Sequence, residues 1–163
     1  MHPLVSQYNF ACSEFERSLS GLTDEDISKR LLPSNNISWI IAHVTNHAQY
    51  LWVQCAQGEI IEPRLTELVK SPDTSRPLAE LMGYWRNVQI AASHFLETVT
   101  EEHLDDYSSG EGKQLPETIG TSLLRITAHI WYHNGEVQAL RQQLGHTDLP
   151  QFVGNLDGVK YRR

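Results

Sequence analysis

Apolar residues recur every three or four positions along four long stretches of the chain, while the alternating pattern of strands is nearly absent. This spacing puts the apolar side chains on one face of a helix and predicts an all-α fold. The first helix is predicted from about Leu4 to Leu19 and the third from Leu78 to Val99. Thr23 and Asp26 occupy the positions of a capping box, which predicts a short extra turn between the first two long helices.

The second and fourth predicted helices have clear start and stop signals. A polar residue within 34–36 can cap the second helix, which is predicted to continue to a stop at Gly58. The fourth helix is predicted to begin near Thr118 and to end at Gly145. Both helices therefore have defined ends, and the side of the helix on which each side chain lies can be predicted from its spacing.

A long connection from Glu59 to Pro77 separates the second helix from the third. It contains three prolines and is predicted to be irregular apart from one helical turn around "RLTELV". A crossover of this length is typical of some helical bundles, so the predicted fold is a four-helix bundle forming a single domain over residues 1–163. The Gly/Ser-rich "YSSGEGKQLPE" is predicted to be a flexible loop, and Leu149, Phe152 and Val153 are predicted to pack across one end.

Composition narrows the classes of function. Thirteen Lys and Arg against twenty Asp and Glu give a net charge of −7, which argues against a nucleic-acid partner. No apolar run approaches the roughly 20 residues of a membrane span, and the first residues do not resemble a signal peptide. Cys12 and Cys55 are predicted to be buried and reduced. These features predict a cytoplasmic protein with a small-molecule substrate.

The histidines carry the strongest chemical signal. His129 and His133 lie four residues apart on the inward side of the fourth helix, a spacing that zinc sites use. A buried core histidine beside an interface histidine is the alternative interpretation. Ile130 and Trp131 exclude the HExxH motif of zinc peptidases. The remaining isolated histidines are predicted to be solvated: His2, His94, His103 and His146.

The second helix carries its own pair, His43 and His47, so a third ligand is available. Periodicity does not decide between the two, because both lie to one side of the apolar stripe. Three histidines would leave a coordination position open, as in catalytic rather than structural zinc sites. Glu136, three residues after His133, is interpreted as a supporting partner of the site, an acid–base group or a solvated side chain.

At these residues the chain resembles the DinB-like superfamily, the metalloenzymes of DinB/YfiT type. The segments that carry the resemblance are "NNISWIIAHVTNHAQYLW" and "TSLLRITAHIWYHNGEVQALRQQLG". The resemblance implies that His43, His129 and His133 are the metal ligands and that His47 is a neighbour. Gly135 fits the family motif and predicts close approach of a neighbour or a ligand, with another helix as the first choice. Glu136 stands where many members have Gln.

The resemblance also implies a function. Relatives include metal-dependent transferases that use low-molecular-weight thiols, so the leading hypothesis is a thiol S-transferase with one divalent transition metal: zinc, nickel or iron. The alternatives are a metal-dependent hydrolase, a non-catalytic stress-related metal-binding module, and a bundle with no metal. Cys12 and Cys55 are distant from the ligands in sequence, so the thiol would come from a bound cofactor. Homodimers among relatives imply a homodimer here.

Overall fold

The structure, a computed structural model, describes residues 1–71, 75–110 and 113–151. The described ranges are predominantly helical, which confirms the all-α prediction. The α-helices are α1 (Pro3–Ser18), α2 (Asp24–Ser28), α3 (Ile37–Ala48), α4 (Leu65–Lys70), α5 (Leu78–Leu96) and α6 (Ile119–Gln143). The four long helical segments are α1, α3 with its continuation, α5 and α6.

The two helices that carry the histidine pairs begin at side-chain caps. The Asn36 side chain accepts a hydrogen bond from the Trp39 amide at 2.8 Å, and α3 starts directly after Asn36, at Ile37. Thr118 caps α6 in the same way by accepting from the amide of Thr121 at 3.3 Å. The capping box predicted for Thr23 and Asp26 is also present at the start of α2. These caps set where each turn of α3 and α6 falls, and hence which residues face the neighbouring helix.

The second long helix is not regular along its length. After Ala48 the chain continues as a π-helix over Gln49–Cys55, and a positive φ of 75° at Gly58 follows where a stop is predicted. Gln49 is buried and its side-chain oxygen accepts from the amides of Ile61 and Glu62, at 3.1 and 2.6 Å. These bonds tie the start of the long connection to the helix. Long π segments are rare and tend to lie near functional sites, and this one begins two residues after His47.

The connection between the second and third long helices packs against α3. Its predicted helical turn is present as α4, with Leu65 and Leu68 buried in the core. The Trp39 indole donates to the carbonyl of Val69 at 3.0 Å. The connection therefore holds Trp39 in place one turn before His43.

Residues 107–110 and 113–117 of the segment predicted as a flexible loop are instead paired strands, so that prediction was wrong for these residues. A 3₁₀ turn at Glu101–Asp105 leads into β1 (Tyr107–Gly110), which pairs antiparallel with β2 (Lys113–Thr118). The amide of Ile119 donates to the carbonyl of Asp106 at 2.9 Å and joins the hairpin to the start of α6. An added Cβ at Gly120 would lie 3.1 Å from the Leu104 carbonyl oxygen, so α6 packs closely on this turn.

One apolar core lies between the long helices. Its largest fully buried side chains are Tyr8, Phe15, Trp52 and Trp85, and the rings of Tyr8 and Trp52 meet edge to face at 6.1 Å. Leu149 is half-buried, while Phe152 and Val153 lie outside the described residues. Within the described ranges, no helix combines the length and the apolar character needed to cross a membrane.

Candidate metal centre

Four histidines meet where α3 packs against α6. His43 and His47 come from α3, and His129 and His133 come from α6. The four-residue spacing places each pair on one face of its helix, so the packing of two helices brings all four rings together. His133 is buried, and the other three rings are half-buried.

Three of these rings direct one nitrogen each toward a common point. Nε2 of His129 lies 3.0 Å from Nε2 of His43 and 3.0 Å from Nε2 of His133. The donor nitrogens of the three residues all lie within 4.8 Å of one another. Zinc–nitrogen bonds of 2.0–2.1 Å in a tetrahedral site separate ligand nitrogens by about 3.3 Å. The spacing at His129 is therefore close to that of ligands on a single ion.

The positions of the ring hydrogens explain why a cation fits this cluster. Nδ1 of His133 lies 2.8 Å from Oε2 of Glu136. A carboxylate only accepts, so a neutral His133 carries its hydrogen on Nδ1 and presents a lone pair at Nε2. Nε2 of His129 faces two other Nε2 atoms, and with neutral rings no placement of hydrogens satisfies both contacts. A cation at the centre would satisfy all three lone pairs together.

The electrostatics favour neutral rings. Burial, followed by repulsion from His133 and other histidines, lowers the pKa of His43 to about 4 and that of His129 to about 3. Burial also lowers the pKa of His47, helped by the charge of Arg125. Metal binding requires the unprotonated imidazole, so these rings already have the required form at neutral pH.

These pKa shifts predict that the metal-free protein loses stability in mild acid. Between pH 6.5 and the folded-state pKa values of about 4 and 3, unfolded histidines take up protons that folded His43 and His129 do not. The contribution of these two rings to the free energy of unfolding is therefore fully present above pH 6.5, and it is lost as the pH falls toward their folded-state pKa values. We expect a loss of about 1–2 kcal/mol between pH 7.5 and pH 5, since solvent screens these half-buried rings.

Urea unfolding in the presence of a chelator at the two pH values measures this difference. A double variant with His43→Gln and His129→Gln should show a smaller drop than the wild type. Equal free energies of unfolding at both pH values in the wild type would contradict the prediction.

His47 lies beside the cluster of three. Its Nδ1 is 3.2 Å from Nδ1 of His129, the ring nitrogen that faces away from His43 and His133. Among the described residues, the group able to hold an ion contains His43 rather than His47. The packing of α3 on α6 thus groups His43, rather than His47, with the two histidines of α6.

Other side chains orient the cluster or flank it. The Trp39 ring stacks on His43 with centroids 4.6 Å apart and planes 7° apart, while Tyr132, largely exposed, meets the edge of His133 at 5.0 Å. Arg125, one turn before His129, forms a 2.7 Å ion pair with Glu117. Trp39 precedes His43 by four residues, so the sequence alone indicates that the two side chains lie on the same face of α3.

Glu136 contacts a histidine of the cluster. Its carboxylate is bonded to Nδ1 of His133 and is about one quarter exposed, at 24%. Of the three interpretations of Glu136, this contact favours a supporting partner that orients a ligand histidine.

Two further expectations need correction. Gly135 is exposed, and an added Cβ there would meet nothing within 4 Å, so the predicted close approach of another helix is wrong. His2 and His146 are only partly exposed, because they contact the carboxylates of Glu101 at 2.9 Å and Asp26 at 3.3 Å. His94 and His103 are exposed as predicted.

Comparison with known proteins agrees with this architecture. The sequence profile of the DinB superfamily matches residues 7–137. The crystal structure of a conserved protein from Enterococcus faecalis is similar with a TM-score of 0.61, over 88% of this chain and 96% of that chain, at 16% identity. At this identity the likeness shows a shared fold. Among curated proteins, none matches the chain in sequence. Since the matching profile covers most of the sequence, the chain belongs to the DinB superfamily.

Proposed function

We propose that this protein binds one divalent transition metal ion, zinc, nickel or iron, through His43, His129 and His133. We propose further that it is an enzyme, a transferase that joins a low-molecular-weight thiol to a small electrophile. The observation that carries the proposal is the convergence of three ring nitrogens, with Nε2 of His129 lying 3.0 Å from Nε2 of both His43 and His133. Nitrogen donors from imidazole suit borderline metals of this kind.

The protein side chains would prepare the site as follows. Glu136 holds the hydrogen of His133 on Nδ1 and leaves Nε2 available, while the Trp39 ring restricts the rotation of His43. His43, His129 and His133 would hold the ion as neutral ligands, and the ion would supply the positive charge that lowers the pKa of a bound thiol. His43 and His129 are only half-buried, so a small molecule can reach the cluster from solvent.

The nucleophile in this proposal comes from outside the chain. Burial raises the pKa of the Cys12 thiol to about 12, which makes it a poor nucleophile at neutral pH. Cys55 is also buried, and neither cysteine belongs to the histidine group. A separate thiol cofactor is therefore required for thiol chemistry at this site.

The surroundings of the cluster favour thiol transfer over hydrolysis. In the described part of the chain, no carboxylate belongs to the convergent group, and Glu136 is engaged on the Nδ1 side of His133. The group therefore lacks the carboxylate base that zinc peptidases use on bound water. A metal ion lowers the pKa of water and of a thiol alike, but a thiol starts from about 8.5 and so needs the smaller shift.

The test is conjugation of small thiols to electrophiles by the metal-loaded protein. Glutathione, cysteine and coenzyme A would be combined with a chlorodinitrobenzene and with maleate derivatives. We expect the loaded protein to accelerate at least one pair. A chelator should return the rate to that without protein, and added metal should restore it.

The His129→Ala variant serves as the control for metal that is bound elsewhere. A protein that holds its metal yet accelerates no pair would contradict the transferase assignment. Metal-dependent cleavage of ester or amide substrates in the same preparation would indicate the hydrolase instead.

A further inference from the structure

We propose that His47 is a positioning residue for the metal site, which accepts a hydrogen bond from Nδ1–H of His129. This inference rests on the proposed metal binding by His43, His129 and His133. In this inference, His47 is neither a metal ligand nor a neighbouring residue without a role in the site. His47 would select the tautomer of His129 whose Nε2 lone pair faces the other two ligands.

The geometry between the two rings supports this role. Nδ1 of His47 lies 3.2 Å from Nδ1 of His129, with ring centroids 4.7 Å apart and planes at 74°. A neutral His129 that gives its Nε2 lone pair to an ion must carry its hydrogen on Nδ1. Nδ1 of His47 lies within hydrogen-bond distance of that hydrogen's nitrogen and can accept it. The tautomer of His129 that leaves Nε2 free for an ion is therefore the one that can donate from Nδ1 to His47.

His133 provides an internal comparison. Its Nδ1–H is accepted by Glu136 at 2.8 Å, whereas the Nδ1–H of His129 would be accepted by an imidazole. Metal-bound histidines usually donate their second ring N–H to a carboxylate, carbonyl or water, and the acceptor raises the basicity of the ligand. Each proposed ligand on α6 therefore has an acceptor at Nδ1, but the two acceptors differ in charge. The buried His133 has the anionic Glu136, and the half-buried His129 has the neutral His47.

Direct ligation by His47 does not fit the distances. Its Nδ1 approaches the side of His129 opposite to the shared point. A second ion between His47 and His129 would need further donors. Among the described residues, the one group of three or more convergent His, Cys, Asp and Glu donors is the His43, His129 and His133 group.

A matched pair of variants tests the role. His47→Asn keeps an acceptor oxygen near the position of Nδ1, while His47→Leu has a similar shape without an acceptor. We expect the zinc dissociation constant to rise about 10- to 100-fold in His47→Leu and to be largely restored in His47→Asn. His94→Leu, at an exposed position on α5, is the control and should leave the constant unchanged.

Two further readouts separate positioning from a general effect on the fold. Long-range ¹H–¹⁵N NMR of the zinc-loaded wild type should show His129 protonated at Nδ1 and bound through Nε2. The Nδ1 resonance should shift in His47→Leu while one zinc per chain is retained at saturation. Thermal unfolding of the metal-free variants checks that both remain folded.

Three results would overturn the inference. Wild-type affinity in both variants would show that the contact does not support the site. Complete loss of zinc in both variants, as expected for His129→Ala, would make His47 a ligand. A wild-type protein without zinc affinity would remove the proposed function and this inference together, whereas the first two results would leave the proposed function standing.

Discussion

Replacing His129 by Ala is expected to abolish high-affinity binding of a divalent ion, and replacement of His43 or His133 should do the same. His129 has the greatest share in the cluster, since its Nε2 lies 3.0 Å from the Nε2 atoms of both other rings. Loss of any one ring leaves two protein ligands, which is fewer than the three of catalytic zinc sites. The bound fraction should therefore fall from about one ion per chain to background.

Metal content after dialysis, measured by mass spectrometry, reads out this result. His94→Ala is the matched control, because it removes an exposed histidine that lies outside the group. His133 is buried, so His133→Gln should accompany His133→Ala as a variant that fills more of the space. Unchanged metal content in the variants of all three residues would contradict the proposed metal site.

Replacing Glu136 by Ala is expected to weaken metal binding about 10- to 100-fold, the usual effect of removing the partner of a ligand histidine. The carboxylate accepts the Nδ1–H of His133 at 2.8 Å and is mostly shielded from solvent. Its loss leaves that ring less basic and freer to change tautomer or rotate. Glu136→Gln keeps an acceptor oxygen without the charge, so its affinity should lie between those of Glu136→Ala and the wild type.

Competition with a chromophoric chelator measures these affinities, with the exposed Glu59→Ala as the control. The contrary result is an acid–base role. In that case Glu136→Ala would keep wild-type affinity and lose conjugation rate by roughly 10²- to 10⁴-fold. Absence of both effects would leave the 2.8 Å contact without a role in the site.

Local sequence signals were sufficient for the long helices. The predicted first and third helices, Leu4 to Leu19 and Leu78 to Val99, overlap α1 (Pro3–Ser18) and α5 (Leu78–Leu96) almost fully. The start near Thr118 and the stop at Gly145 also agree with α6 and with the positive φ of 93° at that glycine. Apolar periodicity and end signals act within a few residues, so they can be found without tertiary information.

The site was only partly accessible from the sequence. Helical spacing placed His129 and His133 on one face, and it did the same for His43 and His47. It could not choose between His43 and His47, because residues one turn apart share a face of α3. The position of each turn of α3 along α6 separates the two: Nε2 of His43 lies 3.0 Å from Nε2 of His129, while His47 contacts Nδ1 of that ring.

By itself, the sequence determined the helical class, the ends of the long helices and the faces that bear the histidine pairs. The tertiary structure alone decided the π-helix, the β-hairpin and the grouping of the three Nε2 atoms. The π segment is accompanied by bonds from Gln49 to a loop twelve or more residues away, and the hairpin is joined to α6 by the bond from Ile119 to Asp106. Such contacts join residues that are distant in sequence, so apolar periodicity, which is a local pattern, cannot predict them.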